Sequence, residues 1–277
     1  MTKITAAEVN KLRQQTGVGI MDCKNALTEA DGNIEKAIEL LRKKGQKLAN
    51  KRADRDANEG RVTAKVDKEN KLAAILMLNC ETDFVAMNQD FIDFSNTIIN
   101  IALENKAKSL DDLKTINING KSIEDSILDM IGKIGEKINI SHYELIEDAF
   151  VYAYNHPGNR IASIVGFDKK VANIENLGKE ITMQIAAMNP IAIDKDNISK
   201  EVVEKEIEIG KELAIQEGKP ADLAEKIAVG KLNKFFKENT LLNQEYIGDN
   251  KKSVTQYISE YDKELKIVDF KRFALGQ

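Results

Sequence analysis

The stretch Asn79-Cys-Glu-Thr-Asp-Phe-Val-Ala-Met-Asn88 sets a hydroxyl, a carboxylate and a large aromatic side by side. It falls where an apolar, strand-like run gives way to a helical pattern, so the chain must turn there. Thr82 or Asp83 can satisfy the free amides at a helix start. Phe84 then sits on a connection, where a rigid scaffold can present it to a partner. Periodicity alone favours packing the ring beneath its own helix. Acid–base work by Asp83 would need a pocket and a second polar group, and the sequence shows neither.

Other signatures of catalysis are missing. Gly132-Lys-Ile-Gly135 has neither the spacing nor the lysine–hydroxyl pair of a phosphate loop. No G-x-S-x-G elbow occurs, and neither Cys23 nor Cys80 has a histidine close in sequence. Two cysteines with His142 and His156 are too little for a multi-ligand zinc site or a disulfide framework. Cys23 reads as a core residue and His156 as a polar turn residue. The expectation is a protein that is not an enzyme and has no cofactor or metal of its own.

A charged fraction of 31% with only three prolines points to a folded, helix-rich chain. The net charge of -4 runs against a protein that lives on a phosphate backbone. No apolar run approaches the roughly 18 residues of a membrane span. The start, MTKITAAEVNKL, lacks the apolar core of a signal peptide. A reduced, cytoplasmic protein is expected.

Three helices are predicted at the N-terminus. Thr5-Ala-Ala-Glu8 has capping-box spacing, and Val9 and Leu12 give the first helix its stripe. Thr16-Gly-Val-Gly19 permits a reversal, Ile20, Cys23 and Leu27 mark the second helix, and Ile34, Ala37, Ile38 and Leu41 mark the third. From Lys36 to Arg55 the chain turns basic, with Lys43, Lys44, Lys47, Lys51, Arg52 and Arg55 close together. That stretch reads as a solvated linker helix that helps steer a protein partner, or as a surface for RNA or the ribosome. Stacking aromatics, which a base-binding surface would favour, are absent from it.

After Gly60 the period changes. Val62, Ala64 and Val66 alternate, a polar turn follows, and Leu72–Leu78 is continuously apolar, which predicts a hairpin with a buried second strand. Phe91, Phe94, Ile98 and Ala102 then share a helical face. The same order returns from Ala149: a strand to Tyr154, a turn at Asn155-His-Pro-Gly-Asn159, a strand over Ile161–Phe167, and a helix carrying Ile174, Leu177, Ile181, Ile185 and Met188. Two related α+β subdomains are expected. Beyond them Ile198, Val202, Ile209 and Leu213 approach a heptad seam, and Gly218-Lys-Pro220 breaks the helix before Leu223, Ile227 and Phe235. A helical hairpin fits, projecting as a short antiparallel coiled coil. The tail around Asp269-Phe-Lys-Arg-Phe273 reads as a strand with a contact patch.

Several blocks carry a resemblance. Leu12-Arg-Gln-Gln-Thr-Gly-Val-Gly-Ile-Met-Asp-Cys-Lys-Asn-Ala-Leu27, Gly32-Asn-Ile-Glu-Lys-Ala-Ile-Glu-Leu-Leu-Arg42 and Thr82-Asp-Phe-Val85 resemble the elongation factor Ts family of nucleotide-exchange factors. So do His156-Pro-Gly-Asn-Arg-Ile161, Gln184-Ile-Ala-Ala-Met-Asn-Pro190 and Val268-Asp-Phe-Lys-Arg-Phe273. Val18 and Ile20 are conservative departures, and Asn159 stands where the family often has glycine.

The resemblance implies an α+β fold in six parts. Residues 1–55 would be a bundle like ubiquitin-associated domains with its basic linker helix, and 56–140 the first core subdomain. Residues 141–194 and 239–263 would make the second, interrupted by the hairpin at 195–238, and 264–277 a C-terminal module. The partner implied is elongation factor Tu, GDP-bound or nucleotide-free, with no membrane and no nucleic acid. Thr82, Asp83, Phe84 and Val85 would dislodge the magnesium ion of that partner. Further contacts would come from Lys11, Arg13, Gly17, Val18, Gly19, Ile20 and Met21, from His156 and Asn189, and from Phe270 and Phe273. The 195–238 hairpin would meet the partner or a second copy of the chain.

Overall fold

Thr5 and Glu8 start the first helix as their spacing requires. The Thr5 amide donates to Glu8 Oε2 (2.7 Å) and the Glu8 amide to Thr5 Oγ1 (3.3 Å). The structure, a computed structural model, describes residues 4–277, so the first three residues of the expected N-terminal domain lie outside it. Helices α1 (Ala6–Thr16), α2 (Ile20–Glu29) and α3 (Ile34–Lys51) close on Leu12, Cys23, Leu27, Ala37 and Leu41.

The basic third helix is not a solvated linker. Its second half leaves the bundle and lies along a core helix, with Leu48 and Ala49 packed on the first core cluster. Gly45, Leu48 and Ala49 recur at helical spacing and supply the small, apolar stripe that this contact needs. A Cβ at Gly45 would come 2.8 Å from the Leu128 carbonyl oxygen, so only glycine lets the two helices approach so closely.

The chain continues through β1 (Glu59–Val66), β2 (Leu72–Cys80), α4 (Asp83–Ala86), α5 (Gln89–Asn105), α6 (Leu110–Thr115), β3 (Asn117–Ile118), β4 (Lys121–Ser122), α7 (Ile123–Ile134) and β5 (Asn139–Glu147). It goes on through β6 (Phe150–Asn155), β7 (Ile161–Phe167), α8 (Ile174–Met188), α9 (Lys200–Gln216) and α10 (Ala221–Asn239). The last elements are β8 (Glu245–Tyr246), β9 (Asp249–Ser253), α11 (Val254–Ser259) and β10 (Ile267–Ala274). Two three-stranded antiparallel sheets result, β1-β2-β5 and β6-β7-β10.

The central strands explain the apolar runs. Leu72, Ala74, Leu76, Leu78 and Cys80 face α5 and α7, while Ala73, Ile75 and Met77 face the other sheet. In β7, Val165 and Phe167 face α8, while Ala162 and Ile164 meet the first sheet. The core is therefore layered helix, sheet, sheet, helix, and a strand buried on both faces has no polar side to alternate with. Side chains of the β6–β7 hairpin stitch the sheets together: Asn155 Oδ1 accepts from the Ala64 amide (2.8 Å), and Asn155 Nδ2 donates to the Ala64 carbonyl (2.9 Å).

Three further expectations need correction. The boundary placed between residues 140 and 141 cuts through β5, which pairs with β2 and completes the first sheet. A register shift at Met77/Leu78 disturbs the alternation that would have exposed β5 in the sequence. Most of the 264–277 stretch is β10, the edge strand beside β7, and so belongs to the second sheet. In the hairpin, Val202, Ile209 and Leu213 are exposed, and the seam is closed instead by Gly210, Ala214, Ala224 and Ala228.

Candidate functional site

Strand β2 carries Cys80 into the core, and its thiol donates to the Thr82 carbonyl oxygen (3.1 Å). Burial, reinforced by the Glu136 charge, pushes that thiol up to about 12, so it stays protonated and unreactive at neutral pH. Thr82 follows in extended conformation (φ -125°, ψ 153°), and its Oγ1 accepts from the Val85 amide at 3.4 Å to open α4. Val85 and Ala86 pack on the first core cluster. One helical turn has room for a single inward edge, and these two residues occupy it. Phe84 is left 79% exposed and Met87 66%. The ring therefore does not pack beneath its own helix.

Two glutamates hold this turn. The Glu136 carboxylate accepts from the Glu81 amide (3.1 Å), the Thr82 amide (3.1 Å) and Thr82 Oγ1 (2.8 Å). The Glu81 carboxylate accepts from the Lys137 amide (2.6 Å) and from Arg52 Nη1, which reaches both of its oxygens (2.7 and 2.8 Å), with Arg55 Nη1 at 3.4 Å. Burial alone would raise the Glu81 carboxyl. The Lys137 amide, Arg52 and Arg55 together outweigh it and hold the group below the ordinary carboxylate value.

The basic stretch is largely engaged in ion pairs. Arg42 meets Asp125 (2.7 Å), Lys43 meets Glu39 (2.8 Å), Lys44 meets Asp22, and Arg52 and Arg55 meet Glu81. Beside α4, Asp83 and Met87 share an open groove of about 420 Å³ with Arg61, Ile92, Asn159 and Arg160. Arg160 pairs with Glu59, which raises its already high value, and the Asp83 charge adds to the shift. The turn after His156 thus borders the tetrad.

The other expected contacts fall into separate places. Lys11, Arg13, Gly17 and Gly19 are exposed, as are Ile20 (50%) and Met21 (64%) at the start of α2. Val18 is the exception, since its side chain is buried in the bundle core. Gly17 has φ +68°, a left-handed conformation that residues with a side chain rarely adopt, so the turn between α1 and α2 requires glycine there. His156 is exposed, its Nδ1 paired with the Tyr154 hydroxyl at 2.9 Å. Asn189 is exposed with φ 46° and caps α8.

Phe270 and Phe273 do not form one patch. Their odd spacing along β10 puts them on opposite faces: Phe270 packs on the second core cluster, and Phe273 on the inter-sheet cluster, its ring 5.3 Å from His142. Sequence reasoning missed Glu81, Glu136 and Arg52. No local pattern could have joined the two glutamates, because the fold alone brings β2's end to the end of α7.

Residues 81–277 match the family model described as elongation factor TS. Over 276 residues, covering all of both chains, the sequence is 50% identical to elongation factor Ts of Christiangramia forsetii. It is 48% identical over 274 residues, 99% of each chain, to elongation factor Ts of Amoebophilus asiaticus. The chain belongs to the elongation factor Ts family. That places it among translation elongation factors. The family match opens at Glu81, one residue before the tetrad, and the full-length relatives extend the likeness through the N-terminal bundle. Among the described residues no group of three or more His, Cys, Asp or Glu could hold a metal ion. No helix among them is long and apolar enough to cross a membrane.

Proposed function

We propose that this chain binds elongation factor Tu carrying GDP and speeds GDP release, so that GTP can rebind. The observation that carries this reading is Phe84, a ring 79% exposed on a turn whose base is fixed in the core. GDP on such a partner is held by loop amides and a magnesium ion, both through charge-assisted contacts that a small displacement weakens steeply. Phe84 wedges between the partner's helices, and the Asp83 carboxylate disturbs the magnesium and phosphate site electrostatically. Exchange is then a reciprocal coupling: the factor weakens nucleotide binding by the same factor as nucleotide weakens it. No covalent bond changes, so the chain is not an enzyme in the chemical sense.

The bundle, with Ile20 and Met21 outward, docks as a module like ubiquitin-associated domains on the nucleotide-binding domain of the partner. The second half of the core, around His156, Asn189 and β10, meets another of its domains. The α9–α10 hairpin, a short coiled coil, is dispensable for basic exchange and offers a surface to the partner or to a second copy. The setting is the cytoplasm. The competing RNA-binding reading gains little from a basic stretch in which Lys43, Lys44, Arg52 and Arg55 sit in ion pairs with described residues and only Lys47 and Lys51 do not.

The test is release of labelled GDP from purified elongation factor Tu with and without the chain. Acceleration at substoichiometric chain, with no nucleotide hydrolysis, is the expected result. Unchanged release at saturating chain would remove the reading.

A further inference from the structure

We propose that Glu136 is a positioning residue for exchange: with Glu81 it forms a reciprocal clamp that fixes the direction in which α4 holds Asp83 and Phe84. The inference rests on the reading that the tetrad is the exchange element. A helix of four residues cannot hold its own direction, because a single turn barely repays its nucleation. Something outside it must do so. Val85 and Ala86 fix its depth by packing on the core. Depth leaves the turn free to pivot about that contact, and the pivot is removed at its N-terminal end.

There the Glu136 carboxylate takes three donors, the amides of Glu81 and Thr82 and the Thr82 hydroxyl. In return the Glu81 carboxylate takes the amide of Lys137, the residue after Glu136. Each connection is thus capped by the glutamate of the other. Arg52, only 25% exposed, supplies the compensating charge to the Glu81 carboxylate. Arg52 is the C-cap of α3. The clamp therefore ties the bundle's longest helix to the tetrad, so that the exposed Ile20–Met21 corner and the Phe84 ring reach a partner in one fixed relation. Lys137 reinforces the junction, its ammonium donating to the carbonyls of Ala53 (2.6 Å) and Arg55 (2.8 Å).

A positioning role differs from a purely structural one in how it combines with loss of the ring. The experiment is a double-mutant cycle in the full chain, Glu136→Ala with Phe84→Ala, read as the maximal rate of labelled GDP release from elongation factor Tu at saturating chain. Urea melts on each variant normalise to folded protein. Glu136→Ala alone is expected to slow release about tenfold, the scale of one lost hydrogen bond to a charged acceptor. In the Phe84→Ala background the same change is expected to slow it no further. Equal fold losses in both backgrounds would overturn the proposal, as would wild-type release by folded Glu136→Ala.

Should Glu136→Ala fail to fold, Glu136→Gln carries the same cycle. It keeps the size but offers one acceptor oxygen to three donors, and is expected to give an intermediate loss that also vanishes without the ring. If Phe84→Ala by itself exchanges at the wild-type rate, the underlying reading falls and the clamp's role with it. That outcome is read from the single variant, before Glu136 is touched.

Discussion

After β7 the chain enters α8 through residues 168–173; after β2 it enters α5 through residues 81–88. The two connections occupy the same place in the repeated strand–strand–helix plan, and they are built differently. In the second half, the Asp168 amide donates to the Lys266 carbonyl (3.1 Å), and Asp168 Oδ1 accepts from the Lys266 amide (3.0 Å). Lys169 meets Asp262 at 2.9 Å, and Val171 packs on the core. The connection is polar, follows its own sheet, and presents no aromatic. In the first half, the extra turn α4 leaves Phe84 and Met87 in solvent, and the half-buried Glu136 carboxylate, from the loop after α7, holds its base. An exposed ring gains nothing from folding. Beneath it the Glu81 and Glu136 carboxylates hold the turn through backbone amides, where the second connection is held by its own sheet.

The comparison can be broken by substitution, and the largest effect belongs to the helices themselves. Phe91, the first large side chain of α5, is fully buried. Phe91→Ala is expected to cost about 3–5 kcal/mol in a urea melt, with exchange per folded molecule unchanged. Leu177→Ala in α8 is its counterpart in the second half, expected to cost about 2–5 kcal/mol.

A smaller effect, tied to pH, is expected at Glu81. Its carboxyl is held below the ordinary value of 4.5 in the folded chain, so the unfolded chain binds the extra proton first as pH falls. The contribution is fully present above 4.5 and is lost as pH drops through the lowered folded value. The stability gap between wild type and Glu81→Gln should therefore be constant near neutrality and close in acid. A gap that widened in acid would contradict the clamp's charge pattern. Next comes Thr82→Ala, which removes the cap of α4 and is expected to cost about 1 kcal/mol. Least of all, Lys169→Ala should leave the urea midpoint where it is, because its ion pair is solvent-screened.

Much of this was legible in the sequence, for reasons that differ by region. The capping box at Thr5–Glu8, the two hairpins, the helix after each and the break at Gly218 are local patterns, and each reads directly as structure. β5 is hidden because a register shift spoils its alternation. The hairpin seam does not follow the heptad spacing, because small residues, not the large ones at that spacing, allow the closest approach of two helices. At the site, the tetrad stood out by residue type, but periodicity could not decide whether Phe84 faced in or out. That depended on Val85 and Ala86 filling the inward edge. The clamp was beyond any local reading, since Glu81 and Glu136 meet only through the tertiary fold.

Whether Phe84 serves a partner or the fold is decided by two measurements on Phe84→Ala: labelled GDP release from elongation factor Tu, and a urea melt. Release is expected to fall roughly thirtyfold, the cost of a lost aromatic anchor at an interface. The melt should shift by no more than about 0.5 kcal/mol, as for an exposed position. A variant that melts several kcal/mol lower yet releases GDP at the wild-type rate per folded molecule would contradict the account.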